Sequence, residues 1–278
     1  MLSPEIERNP VRDEARVVLS PKDLTKKDHG AVLCYPGTDL SGFRKRVSQL
    51  KSLGVEELIL EGSSKVGRFG IVGRGCVSTV VKARLRSEKE IVALKIRRAD
   101  ANRPAMDRDF EFQQYANSFG VGPRAIVCSN DFFAMEYVDS VKLGKWFQSL
   151  KTRTSKKLVR SLIRDTLEQC YALDINELDH GELSNPTKHV LIRNKVEGFK
   201  TAIIDYESAS RNRKMSNLTS VAQFFFLGGW QSVKVRKILG VGEDSSQLFK
   251  QEFVSTLREY KHEPDRQGFE ELMSLIKV

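Results

Sequence analysis

Residues 73–97 read GRGCVSTVVKARLRSEKEIVALKIR, and this stretch decides how the chain is built. Two runs rich in β-branched residues, 77–85 and 90–97, flank a charged turn, Arg86-Ser87-Glu88-Lys89. With residues 68–73 ahead of them, set off by glycines, they predict a three-strand antiparallel meander. Residues 106–119 follow as a helix with Pro104 near its start. Strands at 125–128 and 132–137 complete a small sheet domain.

Upstream, Phe43, Val47, Leu50 and Leu53 recur at helical spacing within 39–54, and Gly54 stands where a C-cap belongs. A short strand at 57–60 follows. Residues 1–30 are polar and broken by Pro10, Pro21 and Gly30, which reads as loosely ordered chain. Downstream of Val138 the pattern turns helical. Ser155 is an N-cap for a long helix whose apolar face carries Leu158, Leu162, Leu167, Cys170 and Leu173. A strand pair, 190–193 and 201–206, interrupts the helices, and three more are expected at 217–227, 245–260 and 265–276. Sheet first and helices after define an α+β chain of two lobes meeting near Val138.

Composition narrows the function classes. In 278 residues, 40% hydrophobic and 29% charged content exclude wholesale disorder. No apolar run approaches the ~20 residues of a membrane span, and residues 221–230 are the greasiest. The charged N-terminus lacks the apolar segment of a secretory signal, so the expectation is a cytoplasmic protein without a membrane partner. Cys34, Cys76, Cys128 and Cys170 lie too far apart for a zinc site or a disulfide framework and read as reduced, mostly buried thiols. Lysine and arginine number 46 against 36 acids, a net +10 that suits an RNA or ribosomal partner, a nucleotide phosphate, or solubility alone.

Four signals carry chemistry. Gly73-Arg74-Gly75-Cys76-Val77-Ser78 is a glycine-rich hairpin whose backbone N–H groups can close over phosphates. A strand follows it, so it is not a dinucleotide-binding fingerprint. Val92-Ala93-Leu94-Lys95 sets a lysine in an apolar strand, where the ammonium either meets an anion or snorkels from an edge strand. On the next helix Asp109 shares a face with Met106, Phe112, Ala116 and Phe119, whereas Glu111 faces solvent, so Asp109 is the expected partner of Lys95. The last two signals are Asp179-His180-Gly181-Glu182-Leu183-Ser184-Asn185-Pro186-Thr187-Lys188-His189 and Ile203-Ile204-Asp205-Tyr206-Glu207. Each sets oxygen-bearing groups beside short apolar strands, and two of only four histidines fall in the first. Taken singly, each signal is matched by an ordinary turn or capped strand; their order is what distinguishes them.

In that order, over residues 68–227, the chain resembles the protein-kinase superfamily in its small divergent branch. That branch holds the RIO kinases, the kinase subunit of the KEOPS complex and related archaeal Ser/Thr kinases. His180-Gly181-Glu182-Leu183-Ser184 is similar to the branch's H-G-D-L-S catalytic loop, and Asp205-Tyr206-Glu207 stands in the place of D-F-G. The resemblance implies a bilobal kinase-like fold, with 1–66 an N-terminal extension, 67–138 the N-lobe and 139–278 the C-lobe. It implies that Gly73 and Gly75 cover the ATP phosphates and that Lys95, held by Asp109, binds them. Met135, Glu136 and Val138 would form the adenine hinge, with Met135 as gatekeeper. Glu182 would be the catalytic base, Asp205 would hold Mg²⁺ or Mn²⁺, and His180 would pack on Tyr206.

Three departures qualify the resemblance. The base position is Glu182 rather than aspartate. A free glutamate titrates only ~0.4 above aspartate, but a shift of ~1 Å in a positioned group can cost ~10²-fold. The loop after it is two residues longer, so the second metal ligand falls on Thr187 counted forward and on His189 counted back, with Asn185 a third candidate. His189 and Asn185 are preferred, and an imidazole ligand favours Mn²⁺ over Mg²⁺. No A-P-E segment follows Glu207, which implies that the peptide-docking platform is missing, and Ser184 replaces the lysine of Ser/Thr kinases, which argues against a broad set of peptide substrates. The expected function is an atypical Ser/Thr protein kinase that phosphorylates a protein hydroxyl or itself. The alternatives are a RIO-like ATPase switch in ribonucleoprotein assembly and an ATP-binding pseudokinase scaffold.

Overall fold

Alternation of side chains across a pleated strand explains the centre of the fold. The computed structural model describes residues 16–151, 154–195, 198–242 and 247–278, and in it the strand β6 (Ser78–Leu85) buries Thr79, Val81, Ala83 and Leu85 while Val80, Lys82 and Arg84 take the other face. Preceding it are β1 (Val17–Leu19), β2 (Val55–Leu60), β3 (Ser64–Val66), β4 (Phe69–Ile71) and β5 (Gly73–Arg74). After it come β7 (Val92–Arg97), β8 (Ala125–Ser129) and β9 (Phe132–Glu136). The main sheet runs β1-β2-β6-β7-β9-β8, every pair antiparallel, and β5 also pairs with β6. Helices α1 (Lys26–Leu33) and α2 (Phe43–Ser52) add Val32, Leu33, Phe43 and Leu50 to its core.

The chain divides into two compact units, one holding the sheet and the other the residues from Asp139 onward, with α3 (Asp107–Ser118) passing from the first to the second at Tyr115. In the helical unit a three-stranded sheet orders β10 (Val141–Lys142), β11 (Val190–Lys195) and β12 (Gly198–Ile203). The described helices there are α4 (Leu143–Ser149), α5 (Lys156–Ile175), α6 (Asn217–Phe226), α7 (Gly229–Leu239), α8 (Gln247–His262) and α9 (Arg266–Leu275). None of the described helices is long and apolar enough to cross a membrane.

Several sequence expectations are corrected. Residues 16–30 are not loose chain. Val17–Leu19 adds an edge strand to β2, and Thr25 caps α1 by accepting from the Asp28 amide. Pro21 lies ahead of that cap and breaks nothing; residues 1–15 lie outside the described residues. The first strand of the expected meander is divided. Phe69–Ile71 pairs with Ser64–Val66 across a tight turn at Gly67 (φ +57°), and only Gly73-Arg74 pairs with β6. The α2 helix starts at Phe43 rather than at 39, because the Asp39 carboxylate accepts from the Ser41 amide and hydroxyl and holds a competing turn. The expectation of three late helices omits α7, which begins at Gly229 with Gly228 as its N-cap; position 245, where one expected helix starts, lies outside the described residues. The thiols are only half as expected: Cys34 and Cys170 are buried, Cys128 partly so, and Cys76 is exposed.

One buried carboxylate fastens α2 to the sheet. Asp131 Oδ1 accepts from Arg46 Nη2 at 2.9 Å and from Arg97 Nη2 at 2.7 Å, and Oδ2 accepts from Gln49 Nε2 at 2.7 Å. Burial works to raise its pKa, yet Gln49 and the two guanidinium groups outweigh it and hold the carboxyl below its usual value. Asp131→Ala leaves two buried or half-buried cations unpaired, which should cost about 3–5 kcal/mol. Urea unfolding should show that loss as a lower midpoint with unchanged slope, and Asp131→Asn, which keeps an acceptor, should lose less.

Candidate functional site

In the sheet unit, Lys95 lies on β7, which is flanked by β6 and β9 and is not an edge strand. The residue is only 4% exposed, so snorkelling is closed to its ammonium and an anion is required. Nζ donates to Asp109 Oδ2 at 2.6 Å. Asp109 comes from the first turn of α3, where the helix dipole also favours a carboxylate, on the face that buries Gln113 and Ala116 while Glu111 points to solvent. Asp109 Oδ1 is buried and has no hydrogen-bond partner.

Nearby in sequence, the hairpin joining β5 to β6 closes through the Gly75 amide, which donates to Ser78 O at 2.8 Å. Arg98 Nη1 donates to Gly75 O at 2.9 Å and its amide to Val77 O at 2.8 Å, so the tip is held from one side. A Cβ at Gly73 would meet open space and one at Gly75 would only touch Ser78 O at 3.4 Å, so internal packing demands neither glycine. Ser78 is buried. On β9, Met135 is buried opposite Ala93, Val138 is buried just beyond it, and the Glu136 amide donates to Arg124 O at 2.9 Å.

The helical unit arranges its own candidate residues on a chain of buried polar groups. Asp174 on α5 accepts from the Asn217 and Leu218 amides at 3.1 Å each, from Asn217 Nδ2 at 2.7 Å and from the Tyr260 hydroxyl at 3.1 Å. It therefore caps the start of α6 from a neighbouring helix. Asn217 Oδ1 in turn accepts from the His180 amide at 2.9 Å. The His180 ring lies 3.0 Å from Ile204 O through Nε2; a carbonyl can only accept, which assigns the Nε2–H tautomer. That ring stands 5.1 Å from Tyr206, the packing expected from the sequence. Burial lowers the His180 pKa to about 4 and raises that of Asp174 to about 6.

This frame brings three of the sequence candidates together. Glu182 Oε2 lies 3.1 Å from His189 Nε2, and His189 Nδ1 lies 3.7 Å from Asp205 Oδ2. Glu182 Oε1 accepts from the Ser208 hydroxyl at 2.5 Å. Asp205 adopts the left-handed backbone region, φ 79° and ψ 67°, a conformation costly for most side chains and least so for Asp, Asn and Gly. Asn185 is not brought to Asp205 by any described contact; its Oδ1 accepts from Thr187 Oγ1 at 2.6 Å, so it closes a turn within its own loop. Of the ligands left open by the sequence, His189 has its Nδ1 3.7 Å from Asp205 Oδ2.

Sequence reading missed the supports. Arg213 Nε donates to Asp179 Oδ2 at 2.8 Å and Nη2 to Ser208 O at 2.6 Å, while Asp179 and Ser210 exchange backbone hydrogen bonds. Gly181 is held at φ +88°, and a Cβ there would lie 2.4 Å from Arg213 Nη2 and 2.7 Å from Ser208 O. Ser208, Arg213, Asn217 and Asp174 all work across long sequence separations, and no local spacing announces them. No protein-family model and no curated protein sequence matches the chain.

His189 offers a test of metal fit. Its Nδ1 is buried, lacks a hydrogen-bond partner and faces the Asp205 carboxylate. Among the described residues no group of three or more His, Cys, Asp or Glu side chains forms a cage for an ion. One imidazole and one carboxylate suit an ion that takes its remaining ligands from phosphate and water.

Two pH effects of opposite sign follow. His180 titrates at 6.5 ordinarily and at about 4 when folded, so its contribution is full above pH 6.5 and is lost as pH falls towards 4, by roughly 3 kcal/mol. Asp174, raised from 3.8 to about 6, contributes most below 3.8 and loses that stability as pH rises through 6. In urea unfolding between pH 4 and 7, the advantage of wild type over His180→Asn should shrink on acidification, and its advantage over Asp174→Asn should grow. Gly181→Ala, strained in backbone and blocked by Arg213 and Ser208 O, should lower the unfolding midpoint more than an alanine at Gly73.

Proposed function

We propose that this chain is an ATP-dependent phosphotransferase, an atypical serine/threonine protein kinase of bilobal kinase-like architecture. The observation that carries the reading is the His189 ring set between the two carboxylates that phosphoryl transfer needs, Glu182 at the base position and Asp205 at the metal position. The buried Lys95–Asp109 pair supports it from the sheet unit, because a fixed ammonium beside a glycine hairpin is a phosphate-binding arrangement.

Each residue has a stated task. Lys95 neutralises phosphate oxygens, and Asp109 holds its ammonium in place. The backbone at Gly73 and Gly75 covers the phosphates, and the main chain at Glu136 and Val138 receives the adenine. Asp205 and His189 would hold a divalent cation, and Mg²⁺ or Mn²⁺ bound there supplies charge neutralisation to the phosphates. Glu182 accepts the proton of the attacking hydroxyl. Its two oxygens are held by Ser208 and His189, so the longer side chain is pinned rather than loose.

A second reading, an ATPase that times release from an RNA-protein assembly, is favoured by the +10 charge and the missing docking segment. A scaffold without turnover is the third, and the retention of Lys95 and Asp205 speaks against it.

Labelled ATP with the label on the γ-phosphate separates the three. Transfer to protein should appear with either cation, faster with Mn²⁺ because an imidazole ligand suits it better than Mg²⁺. Asp205→Asn keeps a residue that tolerates the left-handed backbone and should fold normally while transfer falls by about 10²-fold or more. Lys95→Met should weaken nucleotide binding in the same assay. Free phosphate without labelled protein would favour the ATPase, and bound ATP without turnover would favour the scaffold.

A further inference from the structure

A base waiting for a foreign hydroxyl has no need of a hydroxyl from its own chain. Glu182 has one. The Ser208 hydroxyl donates to Glu182 Oε1 at 2.5 Å, three residues after Asp205, in the short turn Tyr206–Ser208. Ser208 is half-buried. Its main-chain carbonyl accepts from Arg213 Nη2 at 2.6 Å, which sets a half-exposed guanidinium beside it.

These contacts gather a nucleophile, a proton acceptor and a cation for the product around Ser208. Ser208 meets one oxygen of Glu182 and His189 meets the other, so the contact between the base and the metal position is undisturbed. A structural role for Ser208 would be met by any donor to Glu182. The guanidinium held at the same residue points further, since phosphoserine carries nearly two negative charges and pairs with arginine by charge-assisted hydrogen bonds.

We propose that Ser208 is a phosphoryl acceptor of this chain, modified within its own molecule, with Arg213 retaining the phosphate. The inference rests on the phosphotransferase reading and names its first substrate. Ser208 Oγ attacks the γ-phosphorus of ATP, the bond from that phosphorus to the β,γ-bridging oxygen breaks, and ADP leaves with that electron pair. The hydroxyl proton passes to Glu182 Oε1. The products are phosphoserine, ADP and a protonated Glu182 that returns its proton to solvent.

The test uses the full chain, ATP labelled on the γ-phosphate and Mn²⁺, with label located by peptide mapping and free phosphate counted separately. Phosphate should appear at residue 208 at a rate per molecule independent of protein concentration. It should be lost in Asp205→Asn and in Ser208→Ala, and Ser208→Thr should carry it as phosphothreonine, which separates loss of the acceptor from loss of the fold. ATP turnover with residue 208 unmodified overturns this inference and leaves the phosphotransferase or ATPase reading standing. Label at 208 whose rate rises with protein concentration overturns transfer within one molecule. Neither turnover nor label, with the protein folded, overturns both.

Discussion

An ammonium in the middle of an apolar sheet is the constraint around which the sheet unit is arranged. Lys95 cannot reach water from an interior strand, and an unpaired buried cation costs several kcal/mol. The chain answers with α3, whose start is tied to the sheet by the Met106 amide donating to Asn130 O and whose first turn delivers Asp109. Such a pair adds little over two apolar residues of the same size. The arrangement also leaves Asp109 Oδ1 without a partner, which is not how a pair selected for stability alone is finished. Stability alone does not account for a lysine kept at that cost.

Polar burial organises the helical unit by the same logic in a longer chain. Asp174 caps α6, the first residue of α6 holds the His180 amide, and the His180 ring holds the Ile204 carbonyl just before Asp205. The loop and the turn that carry the candidate chemistry are thus fixed to the same framework through Asn217 and His180. The loop between Glu182 and β11 closes with a single helical turn, in which the His189 and Val190 amides donate to Pro186 O at 3.1 and 3.0 Å. That turn raises His189 to the carboxylates and leaves Asn185 in a local turn with Thr187.

What was legible in the sequence was what depends on near neighbours. The strands at 78–85 and 92–97 and the long helix after Ser155 follow from periodicity, and the choice of Asp109 over Glu111 follows from one helical face. Short elements escaped, because three residues at Val17–Leu19 carry too little pattern and α1 is announced chiefly by its Thr25 cap. Phe69–Ile71 reads from the sequence as the right type of element with the wrong partner, since pairing is decided by the turn at Gly67 and not by composition. Within the candidate site Lys95, Asp109, Glu182, His189 and Asp205 stand out in the sequence, whereas Ser208, Arg213, Asn217 and Asp174 act through contacts that only the fold creates.

The two readings with turnover, phosphotransferase and ATPase, differ less in machinery than in the hydroxyl that Glu182 would receive. Water makes the chain an ATPase, a foreign serine makes it a kinase, and Ser208 is the hydroxyl already hydrogen-bonded to the carboxylate. A phosphate on Ser208 would end that hydrogen bond, since a phosphoester oxygen has no proton to donate and two anions repel. Arg213 would then draw the new charge away from Glu182, at the expense of its bond to Asp179. Because Asp179 and Ser210 join the loop before Glu182 to the segment after Asp205, the same event would reach both sides of the site. Modification at Ser208 would in this way expose Glu182 to a second acceptor, and self-phosphorylation would then precede the use of either water or protein as substrate.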